Sequence, residues 1–159
     1  GSMARGVYTV SFDQQTILAA SGDYDFFELD AGTEKPIELV ALFLGNKSQV
    51  GDAQEQMVAW SIVRGHTTAG NGASTTPRLT DGSDPAASFI ARTVSSTPAS
   101  AGTAVTLHAD TFNIRTGLQL IFPELIRHKT QAAELLCVRL LTALVSNAVI
   151  SGTAYVREV

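Results

Sequence analysis

The chain has 159 residues, 45% apolar and only 16% charged, with a formal net charge of -4 at pH 7 and a pI near 5.2. A net-negative chain offers no overall field to neutralise phosphates, which argues against broad nucleic-acid or anionic-membrane binding. A single cysteine excludes an intramolecular disulfide and any paired-cysteine metal or redox motif, and no apolar run reaches the ~18 residues of a membrane-spanning helix.

Gly1 and Ser2 read as a cleavage scar before an initiator Met3, leaving residues 4–159 as one expected domain. A chain this long buries roughly 70% of its extended surface on folding and needs no disulfide or metal staple. Charge this sparse leaves uncharged surface free for contacts with other proteins.

Val7-Tyr8-Thr9-Val10-Ser11-Phe12 alternates with period two and is rich in branched and aromatic residues, predicting an opening strand. A second strand is predicted over Tyr24 to Leu29. A third, over Ile37 to Leu44, follows the turn signals Gly32 and Pro36, with its odd positions facing the core. Residues 45–55 are polar, and Asp52 to Gln56 predicts a short surface helix. Met57 to Arg64 is strand-like again, with a slip in alternation between Ala59 and Ile62 that predicts a bulge or a two-sided strand.

Residues 65–77 are rich in glycine and hydroxyl side chains, too poor in apolar area to pack as an element, and are expected to form one long exposed polar loop. Shortening it to a turn is expected to leave folding nearly intact. Beyond it come a short edge strand at Pro77 to Thr80, a central strand at Ala87 to Val94, and strands over Thr103 to His108, Phe112 to Arg115, and Leu118 to Phe122, the last stopped by Pro123. Leu135 to Leu144 fits a buried helix or a buried strand by periodicity. The strand is favoured because Val149 to Val159 supplies an antiparallel partner.

Eight to ten strands with no regular helices between them predict an all-β antiparallel sandwich, of jelly-roll type because two four-stranded sheets accommodate that number and tolerate a long loop.

Catalytic and metal motifs are sparse. His66, His108 and His128 form no His-x-His pair and no helical ligand spacing, so a metal-dependent β-sandwich enzyme requires distant histidines to converge with an acidic residue. Asp81-Gly82-Ser83-Asp84 reads as a turn lacking the further acids of a calcium loop. Asp23 and Asp25 read as a solvated strand face, with paired-carboxylate glycoside chemistry as the sharper alternative. Ser61, Ser88 and Ser151 lack a nucleophile-elbow context, and Gly70-Asn71-Gly72 precedes no phosphate-binding helix. Cys137, within Leu135-Leu136-Cys137-Val138, reads as a buried small hydrophobe. No catalytic, cofactor or metal residue is therefore assigned. Arg127-His128-Lys129 is the one compact basic patch, suited to an acidic patch on a neighbouring subunit.

Several phrases resemble small jelly-roll virion proteins of tailed bacteriophages, of the head-decoration or trimeric-knob type. These are Val7 to Phe12, Lys35-Pro36-Ile37-Glu38-Leu39, Val63-Arg64-Gly65-His66-Thr67-Thr68, Ala101 to Asn113, and Ser151-Gly152-Thr153-Ala154-Tyr155. The resemblance implies a non-enzymatic structural protein with no cofactor, made in the host cytoplasm and incorporated into the virion. It would decorate or reinforce the particle as a homotrimer attached to a major capsid or tail protein, binding neither nucleic acid nor membrane. Expected contact residues are Arg127, His128, Lys129, Tyr155 and Arg157, with the loops at 46–56 and 65–77. A carbohydrate- or receptor-binding module is the alternative, and calls for exposed aromatic rings.

Overall fold

The structure, a computed structural model, describes residues 6–19, 22–47, 56–141 and 144–159. The helix predicted for Asp52 to Gln56 and most of the 46–56 loop lie outside the described residues.

The strands in chain order are β1 (Val7–Ile17), β2 (Tyr24–Asp30), β3 (Ile37–Asn46), β4 (Met57–Arg64), β5 (Ala73–Thr75), β6 (Arg78–Leu79), β7 (Ile90–Ser95), β8 (Val105–Asn113), β9 (Leu118–Ile121), β10 (Leu135–Leu140) and β11 (Ala148–Glu158). One 3-10 turn, η1 (Glu124–Ile126), follows Pro123. The strands form two antiparallel sheets, ordered β6-β1-β11-β3-β9 and β5-β7-β2-β10-β4-β8.

Eleven strands exceed the expected eight to ten. The Thr103–His108 and Phe112–Arg115 predictions merge into β8, while β5 forms inside the stretch expected to be loop. The Leu135 run is a strand, as predicted, but its partners are β2 and β4. β11 instead lies between β1 and β3 in the other sheet. β10 is buried on both sides of the chain trace whereas β11 alternates buried and partly exposed residues, and adjacency in sequence does not show which sheet receives each.

Alternation delivers Tyr8, Val10 and Phe12 from β1, Val58, Trp60 and Ile62 from β4, and Ile150, Ala154 and Val156 from β11 to one core between the sheets. Phe12 ties the layers together, with its ring 6.2 Å from Phe26 and 5.3 Å from Phe27 across the sandwich. Gly152 makes this possible: a Cβ there would sit 2.7 Å from Leu44 and 2.9 Å from the Phe12 ring.

The register shifts at four places, the first in β1 between Phe12 and Gln15. In β3 the register shifts at Val40, so the inward residues pass from Ile37 and Leu39 to Leu42 and Leu44, and strict odd-position facing fails halfway along. In β4 the inward residues alternate without interruption; the irregularity lies opposite, where β8 carries Leu107 as an extra residue. In β2, Phe26 is the extra residue, and both Phe26 and Phe27 enter the core.

Candidate functional site

The two sheets have different outer faces. On the six-stranded sheet, the Phe26 bulge places Asp25 and Glu28 on the same outward face although they are three residues apart. Cys137 and Arg139 lie beside them on β10, opposite Glu28 and Asp25 respectively. The segments 66–72 and 96–101 close over this face.

The cover is held by a polar network. Arg139 Nε donates to Asp25 Oδ1 at 2.7 Å, and its Nη2 donates to Ala99 O at 3.0 Å. The Ala99 N–H donates to Asp25 Oδ2 at 2.8 Å and to Glu28 Oε2 at 3.1 Å, while the Gly70 N–H donates to Glu28 Oε1 at 2.8 Å. Arg139 Nη1 also donates to His66 Nε2 at 3.0 Å, leaving Nδ1 to donate to Ala101 O at 2.9 Å. Asp25 and Glu28 are buried. Burial and the hydrogen bond shared with Asp25 push the Glu28 carboxyl up to about 7. The same surroundings push the Cys137 thiol up, with burial the main cause, consistent with its reading as a small buried hydrophobe.

Two sequence expectations are corrected here. Asp25 does not share a solvated face with Asp23; it is fully buried against Arg139, which the β2–β10 pairing sets directly opposite it although the two are far apart in sequence. Residues 65–77 are not a free loop: β5 pairs with β7, Thr68 and Ser100 exchange two backbone hydrogen bonds of 2.9 Å, and the Gly72 N–H donates to Ser95 Oγ at 2.9 Å. A Cβ at Gly70 would fall 2.2 Å from Thr97 O and 2.5 Å from Glu28 Oε2, so glycine there serves close approach to the sheet. Beside this cover lies a cleft of about 410 Å³ lined by Asp30, His66, Thr67, Gln131 and Glu134 among others, with no Phe, Tyr or Trp in its lining.

The five-stranded sheet presents the opposite surface. Register places Ser11, Thr153, Phe43 and Gln119 in one outward row, and Thr9, Tyr155, Ala41 and Ile121 in the next. None of the eight is charged. Phe43 and Tyr155 meet edge to face at 5.8 Å, and Ile121, Leu125 and Ile126 project beyond them, Leu125 being 95% exposed.

At one end of this face four expected contact residues gather. Arg127 Nη1 and Arg157 Nη1 lie 3.0 and 3.2 Å from Glu38 Oε1, and Lys129 Nζ lies 3.4 Å from Glu38 Oε2. Glu38, on β3, is buried; burial opposes its charge, but Arg127 and Lys129 outweigh that and hold its carboxyl below the usual range. The basic patch thus has its acidic partner within the same chain, and Tyr155 adjoins it on β11. His128 turns away from this cluster into an aromatic group with Phe122 at 5.0 Å and His108 at 5.8 Å, and His108 lies 5.1 Å from Trp60. Burial chiefly, then His108 and Arg64, lowers the His128 pKa. His108 Nε2 and His128 Nδ1 have no hydrogen-bond partner, and Asp110 Oδ2 stands 3.5 Å from His108 Nε2.

Two of the three histidines therefore converge and His66 does not. Among the described residues no group of three or more His, Cys, Asp or Glu side chains is arranged to hold a metal ion. The Asp81 run is a turn in which Asp81 Oδ1 accepts from both the N–H and the Oγ of Ser83. Ser88 Oγ donates to Glu158, Ser151 Oγ donates to Asp13, and Ser61 is buried in the row of Arg139. Comparison with known proteins found no matching family model, curated protein or solved structure.

Proposed function

We propose that this chain is a non-enzymatic structural protein of a tailed-phage virion, assembling as a homotrimer and docking on a capsid or tail lattice through the bare face of the five-stranded sheet. The observation that carries the reading is that face: two rows of uncharged side chains around the Phe43–Tyr155 pair, extended by the exposed Ile121, Leu125 and Ile126. Contiguous apolar surface rimmed by polar groups marks contact sites in proteins.

Strand order supports a jelly-roll reading of the sandwich. Setting aside the short β5 and β6 and the strand β7, the remaining eight lie as β1-β11-β3-β9 and β2-β10-β4-β8, the interleaving produced by two nested Greek keys, an architecture used in viral capsids and in lectins. The virion reading is favoured over a lectin because the cleft beside the cover has no aromatic platform in its lining.

Native mass spectrometry at micromolar concentration, with and without a chelator, tests the assembly part; a trimer of unchanged mass is expected, and a monomer carrying one tightly held metal would overturn the reading. Proteomics of purified particles made with and without the encoding gene tests the virion part. The chain should be present in many copies per particle, and its confinement to the soluble fraction would count decisively against this function.

A further inference from the structure

Among the described residues four strands end the two sheets, and three are short: β6 has two residues and leaves β1 unpaired on that side beyond Thr9, β5 has three and β9 four, the last closed off by Pro123. The fourth, β8, has nine residues, contains no Lys, Arg or Pro, and among the described residues pairs only with β4. Proteins blunt a long exposed edge with such residues, with bulges or with inward charges, because its free N–H and C=O groups template pairing with another strand, and of these β8 carries the Leu107 bulge and Asp110.

The ladder to β4 shows which groups are free. Ile114 N–H donates to Gln56 O on the β4 side, so even-numbered residues bond β4 and the odd-numbered Ala109 and Thr111 turn their backbone groups off the sheet, where Asp110 Oδ1 takes the Thr111 N–H and the Ala109 groups stay open. Placed antiparallel to itself about a two-fold axis at Ala109, β8 sets Asp110 of each copy opposite His108 of the other. Both positions alternate onto the inward face, where Asp110 Oδ2 of the same chain stands 3.5 Å from His108 Nε2, a ring nitrogen without a hydrogen-bond partner. The reversed copy thus sets a second carboxylate opposite each imidazole.

The geometry points to β8 as a second, two-fold contact, at which a second copy of this chain adds its own β8 and continues the six-stranded sheet across the pair. The Leu107 bulge limits the shared ladder to about Leu107 to Thr111, giving a contact weak alone and effective by avidity. It lies on the other sheet from the bare face and does not rest on the virion reading. If both hold, three-fold and two-fold contacts together generate an extended lattice.

The test is oxidation of Ala109→Cys in the full chain. At the two-fold the paired Cα atoms stand about 5.5 Å apart, inside the range a disulfide spans, Ala109 is exposed, and the native Cys137 is buried. A cross-linked dimer is expected from Ala109→Cys, none from Thr111→Cys, whose counterpart is Leu107, and a loss of cross-linking when Asp110→Lys is added. No dimer from folded Ala109→Cys, or equal cross-linking at both positions, would overturn the seam. Native mass of the unoxidised protein reads the trimer separately, so failure of one contact is distinguishable from failure of the other.

Discussion

The outer faces of the two sheets solve the same problem in opposite ways. Each sheet has one side in the common core and must do something with the other. The six-stranded sheet buries charged groups, Asp25, Glu28 and Arg139, and spends residues 66–72 and 96–101 covering them with backbone N–H donors. The five-stranded sheet has no charged side chain in its two outward rows, and Phe43 and Tyr155 are left partly exposed there. Charge is hidden on one sheet and uncharged surface is shown on the other. That inversion is difficult to account for as a device of folding, since the bare face gains nothing from it in an isolated chain, and it is the reason the bare face is assigned to contact with other proteins.

The largest effect should come from breaking the covered face at the cation that meets Asp25. Arg139→Met leaves the buried Asp25 carboxylate without its partner, and removing one member of a buried pair costs about 3–5 kcal/mol. Urea unfolding measures it; a loss under about 1 kcal/mol would mean that water already reaches the pair. Gly70→Ala should cost less, about 1–3 kcal/mol, because its Cβ forces the loop off Glu28 and Thr97. A free loop would absorb that methyl group with no change, so this variant decides between the packed cover and the exposed loop expected from composition.

The sequence displays its strands through period-two alternation, and β1, β2, β3, β4, β10 and β11 fall close to where the pattern puts them. What it does not display is where alternation breaks. Phe26 is one residue of an aromatic pair that looks continuous with a regular strand, yet its bulge alone brings Asp25 and Glu28 to one face. The covering loop was hidden for a related reason: its binding groups are backbone N–H donors at Gly70, Gly72 and Ala99, which carry no side-chain signature. The cluster around Glu38 was half legible, since Arg127 and Lys129 stand out in the sequence but Glu38 and Arg157 reach them only through the β3–β11 pairing.

The covered face should also set the pH response. Glu28 titrates near 7 in the fold against about 4.5 unfolded, so the folded state binds more protons across that interval. Stability from this group is complete below about 4.5 and is lost as pH rises through about 7. Facing groups are Asp25, Arg139 and Cys137, with Arg92 across on β7. Glu38 and His128, both lowered, act in the opposite sense: each contributes above its unfolded value and loses that contribution as pH falls through its folded one. Chemical denaturation of Glu28→Gln from pH 4.5 to 7 should show a flatter or rising stability where the parent protein falls; an unchanged slope would move the titration elsewhere.

The smallest effect on folding should come from the bare face, and it is the sharpest test of the comparison. Thr153 sits in the row of Ser11 and Phe43, its side chain partly exposed. Thr153→Lys places a cation there without unsatisfying any buried group, so unfolding free energy should move by no more than about 0.5 kcal/mol. The same substitution at Ser61, in the covered row of Arg139 and 1% exposed, should instead destabilise severely, because the new ammonium is desolvated beside Arg139. If the bare face is a contact surface, Thr153→Lys abolishes the trimer in native mass spectra, while its unfolding free energy matches that of the parent at concentrations low enough for both to be monomers. A Thr153→Lys variant that is as stable and as trimeric as the parent would detach assembly from this face and leave its missing charge without a function.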